Sequence, residues 1–206
     1  MYIPASFSEE DPRVLADFMR AHSFATLVSQ VESVPFATHL PLHYDETNRS
    51  LWGHMAKANT QWRSLEGAED VLVIFSGPHA YISPRSYADD TAVPSWNYAT
   101  VHVYGKVVLV EDIAEQKQML QKLTAVYEEP RPQPWEPNWE DKNHADKLAA
   151  ITFFRIEIKQ IEGKSKLSQN RPHADQQGAI EALRKVDTDD ARGIAALMQE
   201  RLNNLD

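Results

Sequence analysis

The chain has 206 residues, 42% of them hydrophobic and 25% charged, with a formal net charge of −9 and no cysteine. That length can bury one sizeable core, so a single domain over residues 1–206 is expected. The missing cysteine excludes disulfides, thiolate metal sites and thiol nucleophiles, and the negative charge repels nucleic-acid phosphates unless a local basic face overrides it. No apolar run approaches the ~18 residues of a membrane-spanning helix, and the N-terminal stretch has neither a basic head nor an apolar core; no membrane insertion and a cytoplasmic location are expected.

Asp11 and Pro12 open the first expected helix, Asp as its cap and Pro in its first turn, with Val14, Leu15, Phe18 and Met19 on one face. Phe24 to Ser29 and Val34 to Tyr44 read as a hairpin. Pro35 and Pro41 lack amide donors, which places the second strand at an edge or gives it a bulge. Asp45 to Ser50 is a polar turn, after which Leu51 and Trp52 read as the end of a third strand. Gly53 then frees the backbone, and a turn carrying His54, Lys57, Asn59, Thr60 and Gln61 leads into a short helix ending near Leu65. Backbone donors at a helix start, one ammonium and one imidazole suit a phosphate. The plainer alternative is a solvated lysine and a packed histidine.

Val71 to Phe75 reads as a buried strand that Gly77-Pro78 turns into a paired strand, His79 to Ser83. Pro84 to Pro94 is a loop with an acidic tip at Asp89-Asp90. Trp96 to Val110 is the longest strand signal, apolar on both faces for much of its length, with Gly105 marking a bend or bulge; it suits a small closed barrel or a strand shared with a partner subunit. Asp112 and Glu115 have capping-box spacing ahead of a helix with the stripe Leu120, Leu123, Val126 and Tyr127, ended by Pro130. An ordered Pro-rich loop follows, anchored by Trp135 and Trp139, then a short helix near Lys142 to Ala150. Phe154, Ile156 and Ile158 alternate with charged residues as a strand with one wet face, Ile161 implies a bulge, and Lys164 to Asn170 leaves the sheet. A helical extension over about 174–205 carries Ile180 and Leu183, then a cap near Asp187-Thr188 and the stripe Ile194, Leu197, Met198 and Leu202.

His39 and His43 would share a strand face four residues apart, but no carboxylate stands next to them to complete a metal site. There is no nucleophile elbow, phosphate loop or dinucleotide-binding glycine turn, so hydrolase and dinucleotide-fold readings lose their usual support. Trp96, Asn97 and Tyr98 place two π faces around one amide, with core packing as the alternative.

Six blocks carry a family resemblance: Met1 to Pro4, Pro35 to Pro41, Gly53 to Asn59, Gly77 to Pro84, Val93 to Tyr98 and Lys164 to Asn170. In this order, over nearly the whole chain, they resemble the PaiB-type FMN-binding negative transcriptional regulators. The resemblance implies a mainly β fold with peripheral α-helices, an antiparallel FMN-binding split β-barrel with its strands within about 24–162. It also implies a homodimer with FMN at the subunit interface and a repressor role with no fixed reaction. Carried over residue by residue, it lays Thr38 and His39 along the flavin ring and gives His54, Lys57 and Asn59 the phosphate and ribityl end. Trp96 and Asn97 would approach the ring, and Lys166 and Gln169 would close the pocket. Thr60 and Ser95 depart from the family pattern, where Pro and Thr are common. The functions in view are a flavin-binding regulator or redox sensor acting indirectly on transcription, a flavin-dependent oxidoreductase on a small molecule, and a haem-handling barrel that would draw a ligand from His39, His79 or His173. Direct DNA binding is disfavoured by the charge, and no catalytic residue stands out.

Overall fold

The computed structural model describes residues 1–67, 70–88 and 91–204; the acidic tip expected at Asp89-Asp90 lies outside the described residues. In chain order the elements are β1 (Ser8–Glu9), α1 (Pro12–Ala21), β2 (Phe24–Val31), β3 (Val34–Pro41), β4 (His43–Asp45), β5 (Ser50–Ala56), α2 (Gln61–Leu65), β6 (Val71–Ile82), β7 (Ser95–Val110), α3 (Ile113–Glu128), α4 (Lys142–Ala149), β8 (Ile151–Lys166), α5 (His173–Leu183) and α6 (Asp189–Asn203). The hydrogen-bonded strand order is β3-β2-β6-β7-β8-β5-β4, with β1 added on β8. Six α-helices accompany these eight strands among the described residues, so the architecture is mixed α/β on a large antiparallel sheet rather than mainly β. None of the helices described is long and apolar enough to cross a membrane.

The chain divides into two compact units. The first comprises Met19–Phe75 and Val103–Ile161. Here β2 and β3 form a hairpin in register from Phe24↔Pro41 to Val31↔Val34. Its two turn residues, Glu32 and Ser33, both have left-handed backbones (φ 51° and 63°), the mirror-image turn whose twist matches the flanking strands. β3 ends the strand order on one side, as Pro35 and Pro41 suggested, and β4 ends it on the other. Only Leu42, 1% exposed, separates them in the chain, so the expected strand over 34–44 breaks there and its second half joins β5. The same break puts His39 and His43 on different strands, not on one strand face.

β5 runs on through His54 to Ala56, pairing with β8 from Ser50↔Glu157 to Ala56↔Ile151. It does not end at Trp52, and Gly53 lies within it: a Cβ there would sit 2.5 Å from Leu42 Cδ2 and 3.2 Å from Phe154 Cζ, so the glycine makes room for the core. Gly105 plays the same part on β7, where a Cβ would come 2.4 Å from the Glu157 carbonyl oxygen. Phe75, Phe154 and Ile156 are fully buried, each worth about 1.5–3 kcal/mol of apolar transfer. A further cluster, Val110, Met119, Leu148 and Phe153, is covered by Trp52, Leu120 and Trp139. Asp112 caps α3 by accepting from the Glu115 amide at 2.8 Å, while the Glu115 carboxylate pairs with Arg155 instead of returning to the cap.

The other unit comprises Met1–Phe18, Ser76–His102 and Glu162–Asp206. Asp11 accepts from the Arg13 amide at 2.8 Å, the expected cap of α1. Gly77-Pro78 does not turn the chain: β6 is one strand from Val71 to Ile82, and Gly77 is needed because a Cβ would lie 2.7 Å from the Phe18 ring. β8 likewise keeps Lys164 and Lys166 in the sheet, since β1 supplies it with partners at Ser8↔Lys164 and Glu9↔Gly163. α5 and α6 pack Ile180, Leu183, Ile194 and Met198 against Ala80, Ile82 and Leu167, and Thr188 caps α6 through the Ala191 amide.

Candidate functional site

The segment 57–60 is a tight turn between β5 and α2, closed by the Asn59 amide on the Ala56 carbonyl at 2.9 Å and fastened further by side chains. The Lys57 carbonyl accepts from Trp62 Nε1 at 3.0 Å, and Asn59 Oδ1 accepts from the Gln61 amide at 3.0 Å. Asn59 Nδ2 donates to Thr38 Oγ1 at 2.8 Å, and that hydroxyl donates in turn to Gln61 Oε1 at 2.5 Å. Thr38, Asn59 and Gln61 thus close a ring of hydrogen bonds that fastens the turn to β3. The Lys57 side chain is exposed and makes no hydrogen bond or ion pair among the described residues. α2 is a single turn of five residues whose first amide is already taken by Asn59, so the ammonium, not a helix start, is the anion-seeking group here.

Gln61, in sequence only one more polar residue of the turn, is wholly buried. Its Nε2 faces Ser29 Oγ at 2.9 Å and the carbonyls of Leu27 and Phe36, both at 3.3 Å. The sequence signal was available: Leu65 lies four residues on, so both fall on the inward face of one helical turn.

His39 points to the opposite face of β3 from Thr38, with Nδ1 2.9 Å from Thr26 Oγ1 and its ring stacked on Phe24 at 6.5 Å. His54, in β5, packs at 5.2 Å from the Phe153 ring and lines a cavity of about 230 Å³ under α3 with Pro41, Leu120, Leu123, Thr124, Tyr127 and Glu128. Its neighbours are therefore α3 and Phe153, not Lys57 or Asn59, because the alternation of β5 sends it that way. Its Nδ1 is buried without a hydrogen-bond partner, and burial holds the imidazole below its usual pKa. Burial does the same to His22, and to His43, where Lys122 and Arg20 add to it against the pull of Asp45.

These depressed values carry a pH dependence of definite sign. Above the ordinary histidine pKa of about 6.5 the imidazoles are neutral in both states and add nothing. Below it the unfolded chain takes protons that the folded chain refuses, so stability falls as the pH falls, by at most about 1.4 kcal/mol per pH unit for His54 and by much less for the half-exposed His22 and His43, which water screens. Thermal melting should therefore occur at a lower temperature at pH 5.5 than at pH 7.5, and His54→Phe should shrink the difference. A melting temperature that holds or rises on acidification would contradict this assignment.

The remaining expected residues fall in the unit with the C-terminal helices. Trp96 is half exposed, 6.1 Å from the His79 ring and edge-on to Tyr81 at 6.0 Å; these two neighbours were not foreseen, because they come from β6. Asn97 faces the other way. At 1% exposure it exchanges hydrogen bonds with Ser168 Oγ (3.0 and 3.2 Å) and donates to Met198 Sδ, so its side chain serves the core under α6. Lys166 Nζ donates to the Trp96 carbonyl at 2.7 Å and to Ser95 Oγ, and burial, with Lys164 nearby, lowers its pKa. Gln169 spans its own backbone, donating to the Ser165 carbonyl at 2.5 Å and accepting from the Leu167 amide at 2.7 Å, which stabilises the strand exit where Ser168 is left-handed (φ 61°).

The chain belongs to the family described as "Putative FMN-binding domain", whose model matches residues 1–160. Its fold is that of proteins such as the FAD and heme binding protein of Mycobacterium smegmatis (TM-score 0.62, 18% identity, covering 77% of this chain and 73% of that one) and the conserved hypothetical protein Rv2991 of Mycobacterium tuberculosis (TM-score 0.59, 14% identity, covering 84% and 95%). Among curated relatives, Protease synthase and sporulation protein PAI 2 of Bacillus subtilis (strain 168) is 39% identical over 209 residues, 98% of each chain. An uncharacterised protein of Aspergillus fumigatus is 28% identical over 98% of this chain and 97% of its own length.

Proposed function

We propose that this protein is a cytoplasmic homodimer that binds FMN at its subunit interface and acts as a negative regulator or redox sensor whose effect on transcription is indirect. The observation that carries the reading is the Lys57 ammonium, unengaged among the described residues and held on a turn that Asn59, Gln61 and Trp62 fix, inside the matched FMN-binding region. A cation carried on a fixed turn suits a dianionic phosphate, and Asn59, with Thr38 hydrogen-bonded to it, would shape the ribityl end. Bound there, FMN supplies one- or two-electron redox chemistry, while the protein's part is grip, orientation and access. The exposed backbone edge of β3, with His39, would lie along the ring, and Trp96 and Lys166 would reach the flavin of the second copy. Asn97 and Gln169 hold their own strands in place for that purpose. Three strands, β6, β7 and β8, each run through both compact units, which supports reading the chain as one domain. The charge of −9, doubled in a dimer, argues against direct DNA contact.

The test is an absorbance spectrum of the purified protein, followed by anaerobic NADH and NADPH additions and light scattering for the oligomeric state. Flavin bands without turnover support the regulator, flavin bands with turnover the alternative of an oxidoreductase on a small molecule, and failure to take up added FMN ends the proposal. Lys57→Ala should weaken FMN binding by roughly 1–3 kcal/mol, the range for a charge-assisted bond. An unchanged fluorescence titration would remove Lys57 from the site.

A further inference from the structure

Building on the FMN reading, the ring of hydrogen bonds around the turn has a single hub. Gln61 is the most buried polar side chain described, and it alone connects three segments: Leu27 and Ser29 of β2, Phe36 and Thr38 of β3, and Asn59 of the turn. Its chemistry is specific. The amide nitrogen shares its two protons among three oxygens, while its carbonyl receives the Thr38 hydroxyl; a carboxylate could not donate to the Leu27 and Phe36 carbonyls, and an apolar side chain would strip the Ser29 and Thr38 hydroxyls of these partners. Asn59 is fixed twice over, by Thr38 and by the Gln61 backbone amide, and Lys57 lies two residues before it.

We infer that Gln61 is the positioning residue of the site: without touching ligand, it locks the 57–60 turn to the β2–β3 hairpin so that Lys57 meets the phosphate of a flavin mononucleotide in one fixed geometry. A residue that acts only through a phosphate grip has a signature that general destabilisation lacks. Riboflavin has the same ring and ribityl chain without the phosphate, so its binding should be indifferent to Gln61.

The experiment is a set of fluorescence titrations of wild type, Gln61→Met and Ser29→Ala with FMN and with riboflavin, below the melting temperature of each variant. Wild type should prefer FMN. Gln61→Met should raise the Kd for FMN roughly tenfold, about 1.4 kcal/mol, with riboflavin within about twofold. Ser29→Ala, which removes one acceptor of the Gln61 amide, should raise it roughly threefold with the same indifference to riboflavin. Parallel loss of both flavins, or unchanged FMN affinity in the variants, overturns the inference, and if Gln61→Met does not fold Ser29→Ala decides by the same criteria. Wild type that binds FMN without preferring it to riboflavin also overturns it, leaving the flavin reading intact; wild type that binds neither flavin sinks the flavin reading itself.

Discussion

Gln61→Leu is expected to lower the unfolding free energy by roughly 2–4 kcal/mol, read as a reduced urea midpoint at unchanged slope. Leucine nearly matches glutamine in volume, so little of that loss is a cavity. The cost comes from the partners left behind: the Thr38 hydroxyl loses its acceptor at 2.5 Å and Ser29 Oγ loses its donor at 2.9 Å, while the Leu27 and Phe36 carbonyls keep the hairpin amides of Thr38 and Ser29 opposite them. A buried polar group without a partner costs about 1–3 kcal/mol, and several in one network do not add fully. A loss under about 1 kcal/mol would show that the amide is dispensable to the fold and that the turn is held by other means.

Gly105→Ala should cost about 3 kcal/mol for a different reason, overpacking against backbone. The new Cβ would lie 2.4 Å from the Glu157 carbonyl oxygen and 2.9 Å from Ile156 Cγ2. A side-chain methyl can rotate away, but the Glu157 carbonyl belongs to β8, whose register with β5 fixes it through the Ser50↔Glu157 pair. For a chain of this size that loss corresponds to a drop of about 6–12 °C in melting temperature. A variant that melts within a degree or two of wild type would mean that β7 and β8 do not approach so closely.

Much of the local structure was legible because its causes are local. Asp11 before Pro12, Asp112 three residues before Glu115, and Thr188 before the last helix each cap through an amide two or three residues away, and each cap was visible as a spacing. The prolines of β3 marked it as an edge for an equally local reason, the lost donors. The errors share the opposite origin. Gly77-Pro78 has the composition of a turn, but the glycine answers to the Phe18 ring, 59 residues upstream. Lys164 and Lys166 read as a loop until Ser8 and Glu9 arrive to pair with that stretch. In the site, the Lys57–Asn59 turn was found from its polar density, whereas Gln61 was missed as its hub because Leu27, Ser29 and Phe36 become its neighbours only when the hairpin folds over it. The resemblance gives His54 and Asn97 to the ligand; strand alternation lays one under α3 and the other under α6, surroundings that no motif reveals.

The pairing of β5 with β8 bears on how the chain is made. Ser50 leaves the ribosome about a hundred residues before Glu157 exists to meet it, so through most of synthesis the nascent β5 has one ladder of amides and carbonyls open and Leu51, Trp52 and Met55 without their final cover. The β2–β3 hairpin, closed by two residues, can form in microseconds, but the sheet waits on this distant partner. During that interval the waiting strand can find a wrong neighbour, and the chain's exposure to it ends only when β8 emerges.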